Sequence, residues 1–424
     1  MTPSQDAMVD ALPPIRDLDN PDFDPFVDDV LAWGDQPDPY PKLQAMAREN
    51  WIHEVEYRRL FMTTPNAMMA KYNFRYFTVF GYDNCVELLS KPEVFSSEFL
   101  KINLAISFGK TISGMDAPEH GRYRKIFQKV FLPNKVRTWG EPVVSPVVEG
   151  LLGKVEGNGR CDLIADFTQH FPFQVVYRQL NLPVRDITIF HKLAAAQTSY
   201  FYAPEMAYEA GQKLGEYFSR MVQARREDPG EDLVSVLATA EADGERLPEE
   251  VVVSFLRQLT NAGGDTTYRG TSVLLTALLQ NPDQLAAVRK DRSLIPAAIE
   301  EALRWDGPLT TVGRITTRDY THRGVTIPAR SVVDFVQGQA NRDPAKFSDP
   351  DRFDIFRERS VRHIAFTVGP HVCIGQHLAR VEMERALNAV LDRLPNVRLD
   401  PDMPPPQIEG YKLRKPRHLY VRFD

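Results

Sequence analysis

Residues 365–380 read Ala365-Phe366-Thr367-Val368-Gly369-Pro370-His371-Val372-Cys373-Ile374-Gly375-Gln376-His377-Leu378-Ala379-Arg380. A loop containing Gly and Pro delivers one cysteine to the start of a helix. The helix is marked by apolar residues at Leu378, Val381, Ala386, Leu387 and Val390. Backbone N–H groups at a helix start favour an anion, so the placement predicts a lowered thiol pKa at Cys373. Gly375 lets the backbone pass close to a neighbour. Three readings of Cys373 compete. It is an inert buried thiol, the usual state of a lone cysteine. It is a nucleophile with His371 or His377 as base, although no acyl-transfer constellation accompanies it. Or it is the single thiolate ligand of a haem iron, for which one protein ligand suffices because the porphyrin supplies four donors.

Outward from this loop, the strongest periodic signal is a helix that starts after Pro248 and runs to about Gln280, ahead of Asn281-Pro282. Glu249 and Glu250 suit its positive N-terminal end. About 30 residues at about 1.5 Å each cross a whole domain. Its centre reads Asn261-Ala262-Gly263-Gly264-Asp265-Thr266-Thr267. Two glycines inside a helix cost roughly 2 kcal/mol relative to Ala. Either a neighbour packs closely there, or the helix opens locally for something flat and bulky. A second amphipathic stripe, Leu294, Ile295, Ala298, Ile299, Ala302 and Leu303, carries Glu301 and Arg304 on one face.

Strand signals lie at Trp51–Tyr57, Phe74–Phe80, Val325–Ile327, Ser331–Val336 and His418–Phe423. Most of the chain from Asp83 to about Leu309 reads helical. The expected fold is therefore mainly α, with a smaller β region formed by both ends of the chain. Residues 1–40 hold ten Asp and one Arg and read as an acidic surface arm, with local helix around Phe26–Trp33. Residues 41–424 read as one domain.

The chain of 424 residues carries a net charge of -6, but its body beyond residue 40 is mildly basic, too weakly for nucleic-acid binding by charge alone. Cys85, Cys161 and Cys373 stand far apart, which excludes a CxxC metal or redox motif and fits a reducing compartment. No apolar run of membrane-spanning length and no basic, apolar leader is present. A cytoplasmic protein without a membrane anchor is expected.

Several segments together resemble the bacterial soluble cytochromes P450. The cysteine loop is similar to that family's haem signature F-G-x-G-x-H-x-C-x-G at Phe366, Gly369, His371, Cys373 and Gly375, with Thr367 in place of the first Gly. Ala262, Gly263, Asp265, Thr266 and Thr267 resemble the oxygen-activation motif A-G-x-D-T-T. Glu301–Arg304 resembles E-x-x-R, and Pro350-Asp351-Arg352-Phe353 the P-x-R-F segment beyond it. His120 to Arg124 resembles H-x-x-x-R, and Gly313-Arg314 the segment that sends an Arg to a haem propionate. Single motifs of this length are weak; their common order is what carries the resemblance.

The resemblance implies a haem b between the long helix and the cysteine-loop helix. Cys373 would be the iron ligand, with Phe366 and Gly375 beside it. His120, Arg124, Arg314 and His371 would face the propionates, and Ala262 and Gly263 the distal side. Asp265 and Thr266 would relay protons to dioxygen. Glu301, Arg304 and Arg352 would form a structural ion network. By position, Phe99, Leu100, Leu104, Phe108, Tyr200, Phe201, Tyr202, Leu309, Thr310, Thr311 and Val312 would line the pocket of a lipophilic substrate, best matched by a terpenoid or steroid. Electrons would come from an iron–sulfur ferredoxin and its NAD(P)H-dependent reductase, with Arg122, Lys125 and Lys129 as a docking face or an ordinary solvated one. The alternatives are a peroxide-dependent fatty-acid or aromatic hydroxylase, which would not need the Asp–Thr pair, and a non-enzymatic haem sensor or carrier.

Overall fold

The computed structural model describes residues 29–183 and 187–424; most of the acidic arm, residues 1–28, lies outside the described residues. The helices that position the site are, in chain order, α1 (Glu98–Phe108), α2 (Glu119–Val130), α3 (Phe171–Gln179), α4 (Pro204–Glu227), α5 (Glu249–Gln280), α6 (Ile295–Asp306) and α7 (Gln376–Arg393). The mainly helical reading holds, and the long helix begins and ends where its Pro and Glu signals put it.

Helix α5 is the axis of the body. Between Val251 and Leu279 every residue is buried except Gln258, Leu259, Ala262, Gly263 and Thr266. Their spacing places all five on one helix face. The helix continues unbroken through Gly263 and Gly264. A Cβ on Gly264 would lie 2.4 Å from the Phe173 ring, and one on Gly263 would lie 2.8 Å from Val176. The glycine pair therefore admits the side chains of α3. Of the two readings, close packing is the observed one, and no kink opens the helix there.

A five-stranded sheet flanks the helices: β1 (Ile52–His53), β2 (Arg75–Val79), β3 (Phe95–Ser96), β4 (Val312–Thr316) and β5 (Ser331–Phe335), in the order β1-β2-β5-β4-β3. Strand β5 runs parallel to β2 and antiparallel to β4, which sets Asp334 opposite both Thr78 and Gly313. The C-terminal strand Tyr420–Arg422 does not join this sheet. It pairs with Arg160–Asp162 and Arg398–Leu399. The β region thus draws on the middle of the chain as well as its ends.

The described end of the expected arm does not lie loosely on the surface. Asp29–Trp33 is helical, and Trp33 is buried edge-on against Phe201 at 4.6 Å. Tyr411 N–H donates to the Trp33 carbonyl at 2.9 Å, and Gly410 N–H to that of Gln36 at 3.0 Å. The apolar area of Trp33 outweighs the acidic composition around it. Among the described residues no helix is long and apolar enough to cross a membrane.

Candidate functional site

Leu378 of α7 and Tyr268 of α5 share one core cluster, which holds the start of α7 beside the middle of α5. Met383 comes within 3.8 Å of the Cβ position of Gly270 further along the same interface. Cys373 stands in the loop just ahead of α7. Its N–H donates to the Phe366 carbonyl at 3.0 Å, closing the loop on itself. The N–H groups of Gly375 and Gln376 pull the thiol pKa down, but desolvation is larger and the net shift is upward. The predicted lowering is reversed in the free thiol for that reason. Cys373 is nevertheless exposed by area. His371 is engaged elsewhere, its Nε2 lying 2.9 Å from Ser97 Oγ.

Thr367, which replaces a Gly of the resembled motif, sits at φ 57°. This left-handed conformation suits Gly and is unfavourable for a β-branched residue. Thr367 N–H donates to Ile364 at 2.9 Å, so the turn forms despite the strain. Beneath the loop, the Arg380 guanidinium lies 4.5 Å from the Phe366 ring centre and bonds Glu300 at 2.6 Å. Burial alone would raise the pKa of Glu300, but hydrogen bonds from His363 and Arg380 bring it down to about 2. Sequence reading missed this brace. Its only signals are the positions of Glu300 beside the E-x-x-R pair and of Arg380 one turn into the helix.

Four basic side chains converge from three different elements. His120 and Arg124 come from α2, Arg314 from β4 and His371 from the cysteine loop. The His120 and His371 ring centres lie 4.0 Å apart, with the planes tilted by 31°. Arg124 donates to the Val372 carbonyl, and Arg314 to the carbonyl of Gly313 at 2.9 Å. Among the described residues neither guanidinium has a carboxylate at ion-pair distance. The Asp116 carboxylate instead accepts from Ser96 Oγ and Ser97 N–H. Burial pushes Arg314 down to about 10. Burial and then the Arg124 charge push His120 down to about 4, and burial and then the His120 ring push His371 down to about 2. The His120 Nε2 atom is buried without a hydrogen-bond partner.

A group with two carboxylates on its edge would satisfy both guanidinia and that orphaned nitrogen. A haem has such an edge in its propionates, and its iron takes one thiolate. The residues present fit a haem.

On α5, Thr266 is on the open stripe, and its hydroxyl donates to the Ala262 carbonyl at 3.1 Å. Asp265 points elsewhere. It is buried and paired with Arg269 at 3.1 Å. One helical step of about 100° separates the buried Asp265 from the half-buried Thr266. Gly263 borders the open stripe, but its Cβ direction is filled by α3.

The ion network is built differently from the expectation. Glu301 and Arg304, each 3% exposed, are paired at 2.8 Å. The third member is Arg357, whose Nε lies 3.2 Å from Glu301. Arg352 is exposed and contributes only its carbonyl, which accepts from Arg304 and Arg357. The turn after Pro350 directs that carbonyl inward and the Arg352 side chain outward.

The expected pocket residues divide into three groups. Leu100, Leu104, Tyr202, Leu309 and Val312 are half-buried. Phe108, Tyr200 and Phe201 pack in one cluster with Trp33 and Leu413, and Phe99 in another with Met69. Thr310 and Thr311 are fully buried, and Thr310 Oγ1 donates to the Tyr411 carbonyl at 2.8 Å. Thr310 thus holds a neighbouring loop rather than lining a space. On α2, Arg122 is bound by Asp243 and Glu245 at 3.1 Å each, leaving Lys125 and Lys129 exposed.

Similarity to known proteins bears on the family and the fold. The family model described as Cytochrome P450 matches residues 204–422. Cytochrome P450 monooxygenase PikC of Streptomyces venezuelae is 32% identical over 393 residues, 88% of this chain and 90% of that protein. The solved bacillaene polyketide synthase cytochrome P450 PksS of Bacillus subtilis superposes with a TM-score of 0.82 at 26% identity, covering 95% of this chain and all (100%) of that one. CYP109E1 from Bacillus megaterium, solved in complex with testosterone, gives 0.79 at 27% identity over 91% of this chain and 99% of that one. By the family match and the near full-length relatives, the chain belongs to the cytochrome P450 family of haem-dependent monooxygenases.

Proposed function

We propose that this monooxygenase hydroxylates a lipophilic small molecule, of terpenoid or steroid type, using dioxygen and electrons from an iron–sulfur ferredoxin and its NAD(P)H-dependent reductase. The observation that carries this reading is the open stripe Gln258, Leu259, Ala262, Gly263 and Thr266 on an otherwise buried α5. A 32-residue helix buried on all other sides leaves one face for a reaction space. A haem bound there supplies the oxygen-activating chemistry.

The chain's own residues do the rest. Cys373 Sγ takes the iron, steadied by the Gly375 and Gln376 N–H groups. Arg124, Arg314, His120 and His371 hold the propionate edge. Thr266 donates its proton to the Ala262 carbonyl, so its oxygen lone pairs stay open to accept a proton donor on the reaction side. Asp265 is held by Arg269, and a proton route through it opens when its carboxylate leaves that partner. The half-buried Leu100, Leu104, Leu309 and Val312 present apolar surface, which suits a hydrophobic skeleton. The testosterone complex of a similar protein supports a polycyclic skeleton. Lys125 and Lys129 present positive charge to an acidic electron donor.

The test is a titration of the purified holoenzyme, read as a spin-state shift of the haem Soret band, with monoterpenoids, steroids, fatty acids and small aromatics. A low-to-high-spin shift with terpenoids or steroids, followed by hydroxylated product with a ferredoxin and reductase, is expected. A shift confined to fatty acids or aromatics, with turnover supported by peroxide and not by the redox partners, would overturn the reading.

A further inference from the structure

Helix α1 connects two parts of the site. At its start, Ser97 Oγ lies 2.9 Å from His371 Nε2 of the basic cluster, and Ser97 N–H donates to Asp116 at 2.9 Å. At its end, Gly109 turns the chain at φ 75°, and Lys110 N–H donates to Ser254 Oγ of α5 at 2.9 Å. Gln258, the first residue of the open stripe, donates to Ser113 Oγ at 2.9 Å. The segment therefore runs from the basic cluster to the upstream end of the stripe, and the half-buried Leu100 and Leu104 lie along it.

The joint between α1 and α5 is built around Arg257. This residue of α5 is buried, and its Nη2 donates to the Ser107 carbonyl in the last turn of α1. Gln197 Nε2 donates to the same carbonyl at 3.2 Å. Among the described residues no carboxylate lies at ion-pair distance from Arg257, and its Nε is buried with no hydrogen-bond partner. What compensates the cation is the negative C-terminal end of α1. Burial pushes its pKa down to about 10, so it stays charged at neutral pH. The group opposing that fall is Tyr208, which is exposed on α4, so the guanidinium lies near the protein surface. Helix α4 crosses the joint at two glycines. A Cβ on Gly211 would lie 2.6 Å from Arg257 Nη2 and closer still to the Ser107 carbonyl, and one on Gly215 would lie 3.5 Å from Nη1. As a permanent brace this arrangement is a poor one, because an apolar side chain would fill the place without desolvating a charge. The guanidinium supplies instead a bond that water can replace when the end of α1 lifts.

We infer that Arg257 is a positioning residue for the reaction: it latches the end of α1 to α5, so that Leu100 and Leu104 wall the space over the open stripe, and ligand enters when the latch releases. The inference deepens the proposed function, since it rests on the open stripe being the reaction face. Sequence reading missed Arg257 because an arginine in an apolar helix carries no motif; its signal is the polar run Ser254, Arg257, Gln258 and Asn261 at helical spacing along a buried helix.

Hydrogen exchange of the holoenzyme and stopped-flow binding of 4-phenylimidazole, an azole that ligates haem iron, test this. In Arg257→Met, exchange over residues 104–109 is expected to rise about tenfold, as loss of one charged hydrogen bond implies, with residues 267–279 of α5 unchanged. The azole, followed at the Soret band, is expected to bind and leave at least about threefold faster, because opening precedes entry and exit alike. Arg257→Lys still donates to one carbonyl and should restore both readouts. Gly211→Ala keeps Arg257 but sets a Cβ against it, and should loosen α1 in the same way. The urea midpoint of Arg257→Met should not fall. Exchange that is unchanged in α1, or raised alike in α1 and α5, would overturn the latch. Azole rates that stay at the wild-type values while α1 loosens would overturn its role in ligand entry. Neither readout depends on the substrate class or the redox partners, so the proposed function fails separately, through the absence of partner-supported turnover.

Discussion

At the scale of single residues, two positions make opposite demands on their side chains. Thr367 holds a left-handed turn at φ 57° that Gly adopts without strain. Its hydroxyl is buried and makes no hydrogen bond, so removing it forfeits none. The strain costs about 1–3 kcal/mol, and the added unfolded-state freedom of Gly returns about 0.4–1 kcal/mol of that. Thr367→Gly is expected to raise stability by about 1 kcal/mol, read from the urea midpoint; a lower midpoint would show that the turn is not strained. Arg357 makes the opposite case. It completes the Glu301–Arg304 network from a nearly enclosed position, and its loss leaves Glu301 under-compensated. Arg357→Ala should cost about 3–5 kcal/mol, whereas Arg352→Ala should stay within about 0.5 kcal/mol. Equal losses in the two variants would return Arg352 to the network. The E-x-x-R spacing was enough to find Glu301 and Arg304, because helix geometry pairs residues three apart. The third cation was not legible, since its choice depends on which way a non-repeating turn faces after Pro350.

At the scale of elements, the α3–α5 contact shows a local rule overridden by packing. Helix propensity favours Ala over Gly at position 264 by about 1 kcal/mol. The Phe173 ring occupies the place of the new Cβ, 2.4 Å away, and neither helix can yield without moving its neighbours. Overpacking of this kind costs about 1–3 kcal/mol, so Gly264→Ala should be destabilising on balance. Phe173→Leu in the same chain should recover part of the loss. A double-mutant cycle on unfolding free energies measures that coupling, and strict additivity of the two substitutions would rule out the contact. The existence and limits of α5 were legible because an apolar run between Pro248 and Pro282 leaves few alternatives. The partner of its glycines was not, because nothing in the local pattern names Phe173. Likewise, the apolar alternation of His418–Phe423 announced a strand but could not reveal that Arg160–Asp162 pairs with it. The separation of Asp265 from Thr266 was not legible, because neighbours one step apart do share the open stripe at Gln258–Leu259 and Ala262–Gly263, and nothing in the motif announces the pairing of Asp265 with Arg269.

At the scale of the whole molecule, the buried titratable groups set how global stability responds to pH, and two of them pull in opposite directions. His191, whose ring centre lies 4.3 Å from that of Phe173, has its pKa pushed by burial from 6.5 down to about 3. Below about pH 6.5 the unfolded chain takes up a proton that the folded chain refuses, so this contribution to stability is lost as pH falls toward 3. Glu382, buried on α7, has its carboxyl pushed well above 4.5, with Thr267 only partly opposing. Thr267 approaches the carboxyl, yet neither oxygen gains a partner at hydrogen-bond geometry, and burial therefore dominates. Above pH 4.5 the unfolded chain releases a proton that the folded chain keeps, so this contribution is lost as pH rises. Removing each group should therefore tilt the stability profile in opposite senses. Relative to wild type, His191→Phe should gain as pH is lowered from 6.5 to 5. Glu382→Gln, which keeps the shape of a neutral carboxyl, should gain as pH is raised from 5 to 8. Each tilt is limited to about 1.4 kcal/mol per pH unit for a single proton. Urea unfolding of both holoenzyme variants at three pH values measures the tilts. Parallel profiles for either variant would mean that its group titrates alike in the folded and unfolded chains, and that burial alone does not control it.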